Sequence, residues 1–142
     1  MITKEPVRNI MSTNVVTVQL NDSLSDVSRL IKKHHIRHVP VQKDGKLEGI
    51  ISRTDIDRLT FSALMPGDED ADDSVFEMLT IGHVMTNKPR VVTEDATIHE
   101  VATILSREEF HALPVVASNN ESILVGIVTT TDVIKYMLDN WD

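Results

Sequence analysis

Gly49-Ile50-Ile51-Ser52-Arg53-Thr54-Asp55 and Gly126-Ile127-Val128-Thr129-Thr130-Thr131-Asp132 are one stretch written twice. Each is a short apolar run that passes directly into hydroxyls and a carboxylate, the pattern of a strand feeding the start of a helix. The N–H groups of a helix's first turn have no partner inside the helix, so such a junction suits a polar or anionic ligand. An internal repeat also constrains the fold more than a single motif does, because both copies must build the same unit.

Working outward, a shift of 74 positions aligns the halves without a gap from Met11 on Met85 through Pro40 on Pro114. Val18 falls on Val92, Leu24 on Ile98, Val27 on Val101, Leu30 on Ile104 and Ile31 on Leu105. Three more residues in the second copy's turn raise the shift to 77, which sets Gly49 on Gly126 and Asp55 on Asp132. A chance resemblance does not hold register this long, so the chain is a duplication.

Each half opens on a β-leaning run, Val15-Val16-Thr17-Val18 or Arg90-Val91-Val92-Thr93. A capping box follows, Ser23-Leu24-Ser25-Asp26 or Thr97-Ile98-His99-Glu100, in which hydroxyl and carboxylate each satisfy an unpaired N–H. Behind it Leu24, Val27, Leu30 and Ile31, or Ile98, Val101, Ile104 and Leu105, make one face of an amphipathic helix. Next come strands 37–41 and 111–116. Pro40 and Pro114 lack an N–H and predict edge or terminal strand positions. Lys43-Asp44-Gly45-Lys46 closes a hairpin into 47–51, and the longer Ser118-Asn119-Asn120-Glu121-Ser122 leads into 123–128. A helix near Thr54 or Thr131 ends each half. One half is therefore β-α-β-β-α, an α+β unit with helices on one face of its sheet. About 50 residues is marginal alone, so the copies are expected to pack as a pseudo-twofold pair.

The expected boundaries are a first repeat over 7–61, an acidic linker over 62–80 and a second repeat over 81–139. The linker's Asp68-Glu69-Asp70-Ala71-Asp72-Asp73 is read as a solvated loop. Ser74-Val75-Phe76-Glu77-Met78-Leu79 behind it forms a helical turn or two, whose N-terminus the acids favour.

Bulk properties limit the function. With 142 residues, 41% hydrophobic and 25% charged, the chain has the composition of a soluble globular domain. The absence of cysteine excludes disulfides, thiolate metal sites and cysteine nucleophiles. That fits a cytoplasmic protein. The first six residues carry no apolar run, so no signal peptide is expected, and no stretch approaches the ~20 apolar residues of a membrane span. A formal charge of −8 argues against a surface built for nucleic acid or anionic lipid. His34 and His38 are four apart, but the pattern changes from helix to strand between them and nothing completes a metal site. Neither a P-loop, a nucleophile elbow nor a His-Glu-x-x-His is present. No enzyme, catalytic cofactor, metal or membrane partner is called for.

Ile10-Met11-Ser12, Val39-Pro40-Val41 and Gly49-Ile50-Ile51-Ser52-x-x-Asp55, each with its copy, resemble a tandem pair of CBS (cystathionine-β-synthase) domains, the Bateman module. The resemblance covers nearly the whole chain. It implies the β-α-β-β-α fold, a cleft between the repeats with up to two ligand sites, and commonly a homodimer. It further implies an adenosyl ligand: AMP, ADP, ATP or S-adenosylmethionine.

Carried over by position, the resemblance implies that Ser52, Thr54 and Asp55 form one ribose and phosphate set, and Thr129, Thr131 and Asp132 the other. A carboxylate can accept from both hydroxyls of a ribose. The same residues are also ordinary capping boxes. Arg37 and His38 stand before Val39-Pro40, where the family often places phosphate-contacting bases, and an arginine fork suits phosphate. His111 matches Arg37, and Lys88 is a further candidate cation. Ile36 and Phe110, with Ile10 and Val84, are the candidate adenine slot, or ordinary core. The resulting expectation is a stand-alone regulatory module that passes its ligand state to an unidentified effector protein. Its contact surface is an exposed face, the linker or the Asp139-Asn140-Trp141-Asp142 tail. The alternatives are an interaction scaffold that binds no nucleotide and a weak enzyme acting on the nucleotide.

Overall fold

The computed structural model describes residues 4–59 and 69–141. Residues 62–68 of the expected linker, Asp68 of its acidic cluster among them, lie outside the described residues, as does Asp142 of the tail.

The chain forms two compact units that do not coincide with the two repeats. One is Val16–Lys88, the other joins Met1–Val15 to Pro89–Asp142. We call them the first and second unit after the repeat that supplies most of each.

In the first unit β1 (Val18–Gln19), β2 (His38–Lys43), β3 (Lys46–Ser52) and β4 (Thr86–Asn87) form one sheet in that order. Helix α1 (Leu24–His34) connects β1 to β2, and α2 (Arg53–Asp57) follows β3. Strand β1 is shorter than expected. It pairs in parallel with β2 only at Val18↔Val41 and Gln19↔Gln42. The Asp22 carboxylate then accepts from the Gln19 N–H at 2.8 Å and turns the chain toward α1. The capping box at Ser23 is formed in both directions. Leu24, Val27 and Ile31 are buried behind it, as their spacing predicts, while Leu30 is half-buried.

The hairpin between β2 and β3 has two positive-φ residues, Asp44 at 52° and Gly45 at 77°. This is the I′ turn whose twist matches the strands.

The expected solvated loop before Ser74 is corrected from residue 69 onward. Glu69–Met78 is one helix, α3. Buried Phe76 ties it to the core. Helix α4 (Ile81–Val84) follows, capped by Thr80, whose hydroxyl accepts from the His83 N–H.

The second unit repeats the plan with β5 (Val92–Thr93), α5 (Ile98–Arg107), β6 (Ala112–Ala117), β7 (Asn120–Thr129) and α6 (Thr130–Asp139). Its turn is not longer. Strand β7 begins at Asn120 and pairs Ala117↔Asn120, so the hairpin loop is again two residues. The three inserted residues are absorbed as a register shift between Val116↔Leu124 and Ala117↔Asn120. A one-residue shift beside the glycine, at Glu48 or Val125, occurs in both units.

The prolines also correct an expectation. Pro40 and Pro114 are buried on β2 and β6, the inner strands. They are tolerated because β1 and β5 pair only with the residues after them, Val41 and Val115 onward. On that side the missing N–H has no ladder to break.

Each sheet is completed by the segment that leads into the other repeat. In the first unit Thr86 and Asn87 pair with Ile50 and Gly49. In the second, Ser12 and Ile127 exchange N–H···O bonds of 2.9 and 3.0 Å. The repeated glycine makes this possible. A Cβ on Gly49 would stand 2.5 Å from Met85 Sδ and 2.7 Å from the Thr86 carbonyl oxygen. On Gly126 it would stand 2.6 Å from Met11 Sδ and 2.9 Å from the Ser12 oxygen. No side chain fits under those methionines.

Candidate functional site

Where β3 meets α2, Ser52 Oγ accepts from the Asp55 N–H at 3.1 Å and the Ser52 N–H donates to Asp55 Oδ2 at 2.8 Å. Where β7 meets α6, Thr129 and Asp132 make the same pair at 3.1 and 2.9 Å. Ser52 and Thr129 are thus committed to the helix start. Each aspartate is half-buried and uses Oδ2 in the box, so Oδ1 can accept from something else. Thr54 and Thr131 are exposed next to them.

A second link fixes each junction. The Arg53 N–H donates to the Arg37 carbonyl at 2.7 Å and the Thr130 N–H to the His111 carbonyl at 3.0 Å. The start of the helix is thereby tied to the start of β2 or β6.

In the second unit Asp132 lines a cavity of about 380 Å³ with Glu5, Asn9, Ile10, Lys135, Tyr136 and Asp139. Small-molecule sites run from ~300 to 1,000 Å³. Two residues singled out in the sequence, Ile10 and Asp132, are brought together here. Ile10 comes from the leading segment and packs on the second unit's core. The remaining wall was missed. Lys135, Tyr136 and Asp139 follow Asp132 at i+3, i+4 and i+7, so helical periodicity reveals them once Asp132 is chosen. Glu5 and Asn9 carry no such signal. The Tyr136 hydroxyl hydrogen-bonds the Glu5 carboxylate, which raises the phenol's pKa, with desolvation adding to it. With three carboxylates to one lysine, this wall favours hydroxyls and cations over phosphate.

The other candidates are placed as follows. Arg37 and Ile36 line a groove between α1 and α2, together with Lys32, His35 and Arg53. His38 is half-buried at the start of β2. Val84 packs partly buried against the first unit's core, as does Ile36. Phe110 is 37% exposed, His111 is exposed, and neither lines the Asp132 cavity. Lys88 is exposed with φ of 47°, and its N–H donates to the Glu48 carbonyl. Among the described residues no group of three or more His, Cys, Asp or Glu is placed to hold a metal ion. No described helix is long and apolar enough to cross a membrane.

Comparison with known proteins places this architecture. The chain is 34% identical over 135 residues to protein MJ0188 of Methanocaldococcus jannaschii, covering 94% of this chain and 44% of that one. It is 32% identical over 155 residues to MJ1426 of the same organism, covering 93% and 90%. Among curated relatives, then, it spans under half of one and most of another. Among solved structures it is similar to the CBS domain pair of protein MJ0100 in complex with 5′-methylthioadenosine and S-adenosyl-L-methionine. That likeness has a TM-score of 0.76 and 27% identity, and covers 95% of this chain and 97% of that one. The family model described as CBS domain matches residues 7–60 and again residues 81–139. The chain belongs to the CBS domain family.

Proposed function

We propose that this chain is a regulatory module that binds an adenosyl ligand at its box carboxylates and passes the bound state to a partner protein. The observation that carries this reading is the wall shared by Asp132 and Ile10: a carboxylate with an open oxygen for a ribose, beside an apolar side chain for a base. The MJ0100 pair, bound to methylthioadenosine and S-adenosylmethionine, supports the ligand class. Because the wall is acidic, the order of preference at Asp132 is S-adenosylmethionine, whose sulfonium is cationic, then AMP, then ADP and ATP. Ligand can shift the module only if it binds one arrangement more tightly than another. The output is regulatory, not catalytic.

A calorimetric titration with S-adenosylmethionine, AMP, ADP and ATP tests this, repeated on Asp55→Ala and Asp132→Ala with melting curves alongside. The expected result is binding of one ligand, lost in one variant that still folds. Absence of heat with all four overturns it in favour of a scaffold that binds no nucleotide.

One observation favours an interaction surface as well. On α6 and just after it, Ile134, Met137, Leu138 and Trp141 are 50, 44, 64 and 74% exposed. A grouped apolar face of this kind marks a contact site, and a second copy of the chain is the proposed occupant. Sedimentation should give a dimer that Ile134→Glu with Met137→Glu converts to monomer. A monomeric wild type refutes it.

A further inference from the structure

At the hairpin end of the first unit's sheet a cavity of about 620 Å³ opens between residues 19–21 after β1, residues 42–44 at the turn between β2 and β3, and the start of α4. We infer that it is a binding site for a neutral cyclic amide, a ring that presents N–H beside C=O as the oxo-nucleobases do. The inference does not rest on the adenosyl reading. Strand β2 runs from His38, opposite Ser52, to Lys43, opposite Lys46. The cavity and the Ser52–Asp55 box therefore lie at opposite ends of the sheet, about 15 Å apart along the strand.

Three observations carry it. The first is a glycine that the backbone does not need. Gly82 lies within α4, where glycine is a poor helix former. Its φ is outside the left-handed region. A Cβ there would meet Leu20 Cδ1 at 3.6 Å and Thr80 Oγ1 at 3.8 Å, ordinary van der Waals contact. A side chain would fit, and what its absence leaves is open space on the cavity wall.

The second is the aligned corner of the second unit, which its own side chains close. Gly82 falls on Arg8, and Leu20 and Asn21 fall on Glu94 and Asp95. There Arg8 pairs with Asp95, and the Ser118 N–H donates to Glu94 Oε2 at 3.3 Å. The first copy has neither the guanidinium nor either carboxylate. The fold can fill this corner from within, and in the first unit it does not.

The third is the chemistry left on the wall. Gln19, Asn21 and Gln42 bring three carboxamides to it. Among the described residues none of these side-chain amides is hydrogen-bonded within the protein. Lys43 and Asp44 cancel in charge, so the wall selects neither a cation nor an anion. A carboxamide offers N–H beside C=O and pairs edge to edge with a ring that does the same, as Asn and Gln do with base edges. Leu20 supplies an apolar floor. The His83 imidazole, whose Nδ1 accepts from the Thr80 N–H at 3.4 Å, supplies a flat face for stacking. The volume is within the ~300 to 1,000 Å³ of small-molecule sites.

The test is an NMR titration of the full chain with uracil and hypoxanthine, following the side-chain amide signals of Gln19, Asn21 and Gln42. Both bases should shift these signals saturably. Dimethyluracil, methylated on both ring nitrogens and so without an N–H, should not. Gln42→Val, which installs the second copy's residue, should weaken uracil binding about tenfold, the value of one hydrogen bond, without lowering the melting temperature. Gly82→Arg with Asn21→Asp writes the second unit's ion pair into the first and should abolish binding. Gly82→Ala should not lower the melting temperature; a fall would make the glycine structural and overturn the proposal. Asp55→Ala and Asp132→Ala should leave uracil binding intact. The proposal also fails if neither base shifts the signals at millimolar concentration, or if dimethyluracil binds equally well. It fails again if the Gly82→Arg, Asn21→Asp variant binds as wild type does. Binding lost with Asp55→Ala or Asp132→Ala overturns it as well, because that puts the base in the adenosyl site.

Discussion

The α1–α2 and α5–α6 grooves are the same architecture with opposite surfaces. Lys32, Arg53 and Asp57 in one stand where Ser106, Thr130 and Ile134 stand in the other, around equal volumes. Another corner shows the same divergence. In the second unit Arg8 pairs with Asp95, whereas the aligned Gly82 and Asn21 line an open cavity of about 620 Å³ in the first. Positions that hold the backbone are duplicated: the caps, the glycine under methionine, the apolar stripe. Positions that set surface chemistry are not. Two copies of one scaffold thereby present different sites.

The comparison breaks first at the core, if the two scaffolds are not held alike. Leu24→Ala and Ile98→Ala sit at aligned, buried positions and should each cost about 3 kcal/mol, read by urea denaturation. A cost confined to one would mean that only one stripe is packed. Next are Gly49→Ala and Gly126→Ala, about 2 kcal/mol each. Gly49 should be the more costly, since its backbone contact is closer, 2.7 against 2.9 Å. Trimming the methionine should not rescue either, because a carbonyl oxygen also blocks the Cβ. Neutral behaviour would show that the leading segments do not complete the sheets.

Ser52→Ala and Thr129→Ala should cost about 1 kcal/mol each, equally in both halves because their box distances agree. Unequal losses would show a further role for one hydroxyl.

The smallest effects are electrostatic and differ between the copies. The Ser23 N–H donating to Asp26 holds that carboxyl below its usual range, and the hydrogen bond from Arg8 does so for Asp95. A depressed folded pKa contributes stability that is present above the unfolded value, about 4, and is lost as pH falls through the folded value. Asp26→Asn should therefore flatten the acid side of the melting curve below about pH 4. Arg8→Ala should return Asp95 toward the ordinary range in an NMR titration with little change in melting. An unmoved Asp95 would show that the pair does not form in solution.

What could be read along the chain was whatever is decided within a few residues. Capping boxes, the Leu24 to Ile31 stripe and the Asp44-Gly45 turn are local, and all are formed. The helix over the acidic residues from Glu69 escaped, because Phe76 anchors it from the core and polar composition alone resembles a loop. The turn insertion was misplaced for a similar reason. A two-residue hairpin is retained, and the strand takes up the excess as a register shift between Val116 and Ala117. Asp132 and Ile10 were recognised separately. That they share a wall with Glu5 and Asn9 depends on where the leading segment docks.

By itself, then, the amino-acid sequence determined the duplication, the β-α-β-β-α plan of each copy and the paired carboxylates at two helix starts. These follow from periodicity and capping, which act over one or two turns. Only the tertiary structure decided which segment completes which sheet. Met85 lies under Gly49, and Met11 under Gly126, contacts between residues 36 and 115 positions apart. Pairings so distant leave no local period to read, and the methionines settle where a missing Cβ leaves room.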